Sequence, residues 1–283
     1  MSRTTNRPVR SARPNSLIYT LYGDFVHRSP ERELGDELPA ASLIRLMAEF
    51  GISEQAVRQA VSRMSRQGWL AASRRGARAF YALTPRGRER IETLSPRIYG
   101  PAAEWDARWR MVTYSVTEND RGRRDKLRKD LTVLGLAPLS ASTWISPSDV
   151  LADVRAIAAA NGVFDGGVDF FVGTYAGPLG DRALIEKCWD LDTIAGRYRD
   201  FIDTYASRST AEGVRALADA AAFVERVWLV HDFRKFTYVD PGLPGTLLPA
   251  HWPGTEAGRL FRDYYARLSP KAERFFVHAL RAS

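Results

Sequence analysis

The stretch GISEQAVRQAVSRMSRQG, Gly51 to Gly68, decides how this chain is read. Ser53 offers a side-chain oxygen to the free amides of a first helical turn, and glycine ends helices because it accepts positive φ without strain. The spacing therefore predicts a helix from Glu54 to Gln67, stopped by Gly68. At about 100° per residue, Val57, Ala60, Val61 and Met64 gather on one face. Gln55, Arg58, Gln59, Ser62, Arg63 and Arg66 gather on the other, which holds three arginines and no acid. Glu54 is the helix's sole carboxylate and sits in the first turn, where it suits the positive end of the helix dipole. A solvated face commonly mixes charges of both signs; an all-basic face with Gln and Ser interleaved is what a major groove demands. Arginine bonds guanine O6 and N7 together, glutamine pairs with adenine, and serine reaches a phosphate or a base edge.

The neighbouring segments complete one architecture. Apolar residues at Leu17, Ile18, Leu21, Phe25 and Val26 predict a helix over Leu17–Val26. Leu43, Ile44, Leu46 and Met47 predict a second over Ala41–Phe50, ended by Gly51. After Gly68, Trp69–Ala72 and Ala79–Leu83 read as strands around a hairpin tip, residues 73–78. That tip adds Arg74, Arg75 and Arg78, placed for a phosphate backbone or a minor groove. Thr84 and Pro85 make an N-cap followed by proline at the first helical position, so a further helix leaves towards Tyr99, and Gly100-Pro101 marks a domain break. Three helices followed by a hairpin is the order of a winged helix-turn-helix. Ahead of it, Met1 to Pro14 carries Arg3, Arg7, Arg10 and Arg13 among small and polar residues and reads as a disordered basic arm.

The location of the charge agrees. The chain carries a net charge of +8. Residues 1–100 hold 17 Arg and no Lys against 9 acids, whereas the remainder holds 24 bases and 24 acids. All of the excess belongs to the N-terminal third, which points to a polyanion partner for that third and other work for the rest.

Beyond the break, Trp109–Val116 is β-rich, Asp120–Leu134 is a charged amphipathic helix closed by Gly135, and Ala137–Ile145 has room for two short strands. A helix over Ser148–Ala160 and a strand over Val168–Thr174 complete the order βαββαβ, the ferredoxin-like arrangement. From Asp181 the pattern is helical apart from a proline-glycine loop, Asp240 to Gly254. The expected class is α+β, in four parts: a basic arm (1–14), a winged helix (15–100), a ferredoxin-like middle domain (105–176) and a helical C-terminal domain for effector binding or dimerisation (177–283).

No apolar run approaches the ~20 residues of a membrane span, and the N-terminus lacks the apolar core of a signal peptide. The single cysteine, Cys188, allows no intramolecular disulfide and suits a reducing cytoplasm, the expected location. His27, His231, His251 and His278 lack metal-site spacing, so no metal, cofactor or catalytic residue is assigned. His231-Asp232 has no nucleophile beside it and reads as a helix-terminal histidine packed on Trp228; Cys188 beside Trp189 reads as an inert packing residue.

Asn15 to Val26, Leu43 to Leu46, Gly51 to Met64, Gly68 to Leu70 and the wing exit Tyr81 to Gly87 together resemble the PaaX family, repressors of phenylacetic-acid catabolic operons. The resemblance continues through Trp109 to Val112, Arg124 to Arg128, Trp144 to Pro147, Asp240 to Pro249 and Trp252 to Gly254, so that it spans nearly the whole chain. It implies a homodimeric repressor that binds double-stranded DNA at an inverted-repeat operator and is released by phenylacetyl-CoA or a related acyl-CoA. An acyl-CoA needs cations for its phosphates and apolar surface for its acyl group. Arg234 and Lys235, between Trp228 and Phe236 and ahead of the loop bearing Trp252, form the candidate effector cluster, with His231 beside them. Its alternative is a structural aromatic cluster with snorkelling bases.

Two other functions compete. One is a nuclease: the middle domain resembles the fold of a CRISPR-adaptation protein whose first strand ends in an acidic residue able to hold a metal. Here that segment reads Thr113, Tyr114, Ser115, Val116, and a serine hydroxyl is a poor substitute for a carboxylate on a hard cation; Glu118 and Asp120 follow in a turn. An architectural DNA binder without an effector would leave the C-terminal two thirds without a task.

Overall fold

The computed structural model describes residues 12–28, 37–101, 104–115, 121–160, 162 and 167–281. Arm residues 1–11, and Glu118 and Asp120, lie outside these. Pro14 opens α1 (Pro14–Leu21), which passes directly into a π-helical turn, Tyr22–Val26. The start precedes the expected Leu17 because proline at a first helical position forfeits no hydrogen bond. Strand β1 (Glu37–Pro39) leads into α2 (Ala40–Ala48) and α3 (Glu54–Arg66). Then come β2 (Leu70–Arg75), β3 (Arg78–Leu83) and α4 (Pro85–Tyr99). The first sheet is antiparallel in the order β1-β3-β2. β1 carries no readable alternation, being three residues long and ending in proline; only Leu38 among them is buried.

The middle of the chain runs β4 (Trp109–Tyr114), α5 (Arg121–Val133), β5 (Ala137–Pro138), β6 (Thr143–Ser146), α6 (Leu151–Ala160) and β7 (Val168–Gly173). Its strands pair antiparallel in the order β5-β6-β4-β7. The described C-terminal part is helical: α7 (Asp181–Cys188), α8 (Leu191–Tyr205), α9 (Ala211–Ala216), α10 (Asp219–Phe233) and α11 (Pro253–Arg281). The α+β class follows: a helical head with a small sheet, a ferredoxin-like sheet domain and a helical remainder. Among the described residues no helix is long and apolar enough to cross a membrane.

The chain forms two compact units, one of Met1–Ser95, Arg208–Phe233 and Asp263–Ser283, the other of Pro96–Ser207 and Arg234–Arg262. In the first, Leu17, Ile18 and Leu21 of α1 meet Leu43, Leu46 and Met47 of α2 and Val57, Val61 and Met64 of α3. The same core takes in Phe223, Val227 and Trp228 of α10 and Ala272, Phe276 and Ala279 of α11. Phe25 lies between Phe223 and Phe276, with ring centroids 5.2 and 5.0 Å away. Two helices from the C-terminal third thus complete the core of the winged helix.

In the second unit the period-2 alternation of β4 divides two cores. Val112 and Tyr114, with Trp144 of β6, face Leu127 and Leu131 of α5 and Val154 of α6. Trp109 and Met111, with Ile145, face Leu184 and Ile185 of α7 and the loop leucines Leu243, Leu247 and Leu248. Cys188 packs at the margin of this second core, and burial raises its thiol pKa, which keeps it protonated and unreactive.

Candidate nucleic-acid interface

α3 is capped at both ends by its own sequence. Ser53 Oγ accepts from the Ala56 amide at 3.3 Å. At the other end Gly68, at φ +73°, donates to Ser65 O, and Trp69 donates to Met64 O, a Schellman closure that turns the chain into the wing. Between the caps Val57, Ala60, Val61 and Met64 are buried, and Gln55, Arg58, Gln59, Ser62, Arg63 and Arg66 are all exposed. The segregation read from the sequence is therefore physical: apolar packing aims the basic face at solvent.

The wing departs from the expected six-residue tip. β2 runs to Arg75 and β3 begins at Arg78, in register opposite each other, so only Gly76 and Ala77 turn the chain. Gly76 sits at φ +61° and Ala77 has no positive φ, the pattern of a type II′ hairpin turn. Polar arginines read as loop because a ribbon bathed on both faces shows no apolar alternation. Cross-strand partners share a face, so Arg75 and Arg78 lie together and Arg74 lies on the reverse; all three are exposed.

Two acids answer these bases within the chain. Arg58 donates to Glu54 one turn away, at 2.8 Å from Nε and 2.7 Å from Nη2. Arg75 pairs with Glu37 of β1, which also accepts from Ser73 Oγ at 3.2 Å, and its guanidinium lies 4.9 Å above the Phe80 ring. Like charges facing across a ladder repel, and Glu37 relieves that repulsion at the Arg75–Arg78 rung.

Supporting contacts fix the wing. Tyr22, fully buried, donates to Tyr81 O of β3 at 2.6 Å, and burial raises its phenol pKa so that it stays a donor. Thr84 Oγ1 donates to Gly68 O and accepts from the Gly87 amide, tying α4 to the end of α3. Gly87 is needed there: a Cβ would stand 2.5 Å from Trp69 O. Arg86, which the sequence reading left out of the site, stacks over Trp69 at 4.5 Å and donates to Gln67 O. Its signal was the Thr84-Pro85 cap beside it. Glu37 had none, lying 38 residues from Arg75.

The candidate effector residues fall into different surroundings. Trp228 is buried in the first unit against Phe50 and His231, and His231 is buried with Nδ1 3.3 Å from Thr20 Oγ1. In the second unit, Arg234 and Lys235 occupy a 3-10 turn, Arg234–Tyr238. Trp252, half-buried, packs edge-on to Tyr198, which stacks on Phe236 at 3.9 Å. At the position that would hold a nuclease's metal, β4 ends at Tyr114 and the Ser115 amide donates to Gly167 O. No group of three or more His, Cys, Asp or Glu among the described residues could hold a metal ion.

Comparison with known proteins agrees with this geometry along the chain. Residues 13–87 match a model described as PaaX-like protein, residues 102–185 one described as PaaX protein central Cas2-like domain, and residues 189–278 one described as PaaX-like protein C-terminal domain. Among curated relatives, the Transcriptional repressor PaaX of Escherichia coli (strain K12) is 33% identical over 267 residues, covering 92% of this chain and 82% of that protein. Among solved structures, the uncharacterized protein Rv0674 from Mycobacterium tuberculosis aligns with a TM-score of 0.60 at 23% identity, over 93% of this chain and 98% of that one, a likeness of fold.

Proposed function

This chain belongs to the PaaX family, and from that premise we propose that it is a DNA-binding transcriptional repressor of a catabolic operon, released from its operator by an acyl-CoA. The observation that carries the reading is the outward face of α3, exposed and basic over a helix whose opposite face is buried. Arg58, Gln59 and Arg63 read base edges; Gln55, Ser62, Arg66, Arg74, Arg75 and Arg78 position the head on the backbone. One winged helix covers too little DNA for genomic specificity, so the protein acts as a homodimer on an inverted repeat, with half-sites about 10 base pairs or a multiple apart.

The effector is phenylacetyl-CoA or a near relative. Trp228 and His231 are consumed by core packing, which narrows the proposal to Arg234 and Lys235 for the phosphates and Trp252 for apolar surface. Ligand and DNA then oppose each other, and by linkage each weakens the other by the same factor.

Gel-shift titration of Arg63→Ala tests the base-reading face. The expected loss is about 1–3 kcal/mol on the operator and much less on a random duplex. Equal losses on both would sink the assignment. Phenylacetyl-CoA should dissociate the operator complex where free phenylacetate does not; calorimetry showing no heat with any acyl-CoA, DNA binding being intact, would remove the effector and leave the repressor.

A further inference from the structure

Charge in the middle domain is as unevenly placed as in the chain as a whole. α5 carries six bases and two acids, while the rest of residues 104–173 carries three bases and eight acids. The helix is anchored by Leu127 and Leu131, both fully buried beneath it against Val112 and Trp144. That anchoring leaves Arg123, Asp125, Lys126, Arg128 and Lys129 exposed. Asp125 stands one turn before Lys129, yet neither Lys126 nor Lys129 enters an ion pair among the described residues. A solvated face usually offsets its own charges with i, i+4 pairs; Lys126 and Lys129 have none among the described residues.

Building on the DNA-binding reading above, we propose that the exposed face of α5 is a second DNA contact, one made to the phosphate backbone and not to bases. Arg123, Lys126 and Lys129 recur every three residues and wind along about 9 Å of helix at 1.5 Å per residue. Duplex DNA presents one phosphate per ~1.7 Å of axis, so such a strip meets several at once. The exposed face offers no Asn or Gln to read a base edge. Its contribution is sequence-independent affinity, added to the specificity of α3.

Salt dependence tests the proposal on the full-length chain. Each cation withdrawn from phosphate flattens the slope of log K against log salt by ~0.9. The double variant Lys126→Gln/Lys129→Gln withdraws two cations per protomer, four per homodimer, and should therefore lose about 150-fold less affinity than the parent between 50 and 200 mM salt. At 50 mM it should bind correspondingly more weakly, and by the same factor on operator and random duplexes. Both lysines are exposed, so the thermal midpoint should not move. Lys187→Gln, an exposed lysine of α7, serves as the control and should match the parent. An unchanged slope and affinity in the double variant, with the parent binding normally, overturns the proposal. So does a variant that binds DNA as the parent does but has lost its response to phenylacetyl-CoA, which would assign the face to coenzyme phosphates. A parent that binds no duplex would instead refute the DNA-binding reading itself.

Discussion

Replacing Arg226 by Met should unfold the first unit more readily than any surface change, and the geometry says by how much. Asp24, in the π-helical turn after α1, has a fully buried carboxylate, and the Arg226 side chain is only 3% exposed. Arg226 Nε donates to Asp24 Oδ2 at 2.9 Å and Nη2 to Oδ1 at 3.3 Å. Tyr265 donates to Asp24 Oδ1 at 2.8 Å, and Arg226 reaches the Tyr265 oxygen at 2.6 Å and Glu273 Oε1 at 2.8 Å. The guanidinium is sandwiched 4.3 Å from the rings of Phe25 and Tyr265. Burial works against the charge on Arg226, but Asp24 first, then Tyr265 and the hydrogen bonds to Asp24 and Glu273, outweigh it and raise the guanidinium pKa.

Met fills the volume between the rings but takes from the buried Asp24 carboxylate the guanidinium that bonds both of its oxygens. Breaking a buried pair from one side costs about 3–5 kcal/mol, whereas replacing both partners with apolar or neutral groups is often close to neutral. Arg226→Met should therefore lower stability by about that amount, and Asp24→Leu/Arg226→Met should recover most of it. Urea unfolding followed by tryptophan fluorescence is the assay, since Trp69 and Trp228 both belong to this core. A single variant within about 1 kcal/mol of the parent would refute the argument, as would a double variant no better than the single one.

Three further outcomes follow from the same contacts. Glu54→Gln and Glu37→Gln, which release Arg58 and Arg75 from their acids, should each cost less than about 1 kcal/mol of stability and tighten DNA binding at low salt, read by fluorescence anisotropy. Gly87→Ala drives a methyl into Trp69 O and should destabilise the head by about 1–3 kcal/mol, with a lower thermal midpoint by calorimetry. The carboxyls of Asp106, Asp190 and Asp219 are held below their ordinary pKa by hydrogen bonds from Arg110, Thr193 and Arg274 respectively. A lowered folded-state pKa contributes stability that is complete above the unfolded value, about 3.9, and is lost as pH falls through the folded one. The unfolding midpoint should hold from neutrality to near that value and then decline, less steeply in Asp219→Asn.

What the sequence made legible was local. α3 announces itself because its cap, its closing glycine and its two faces all lie within eighteen residues, and periodicity alone separates Val57 and Met64 from Arg58 and Arg63. The ferredoxin-like order was legible for the same reason in its longer elements, whereas β5, two residues long, carries no period of its own. The wing was half legible: its turn glycine showed, but Arg74, Arg75 and Arg78 give a ribbon no apolar signature, and Glu37, which holds Arg75, lies far back in the chain. α10 marks the limit more sharply. Its residues from Ala222 to Phe233 are buried nearly all round, which an apolar run such as FVERVWLV implies, yet nothing in that run names what covers it. The covering is the winged helix itself, through Leu17, Phe25 and Met64. One sign was nonetheless present in the residues. A glutamate and an arginine in the middle of an apolar run cannot be buried without partners. Glu225 finds Arg208 at 3.4 Å, and Arg226 finds Asp24, 202 residues away. A charge inside an otherwise apolar helix thus states that a distant partner exists, and only the fold can say which one.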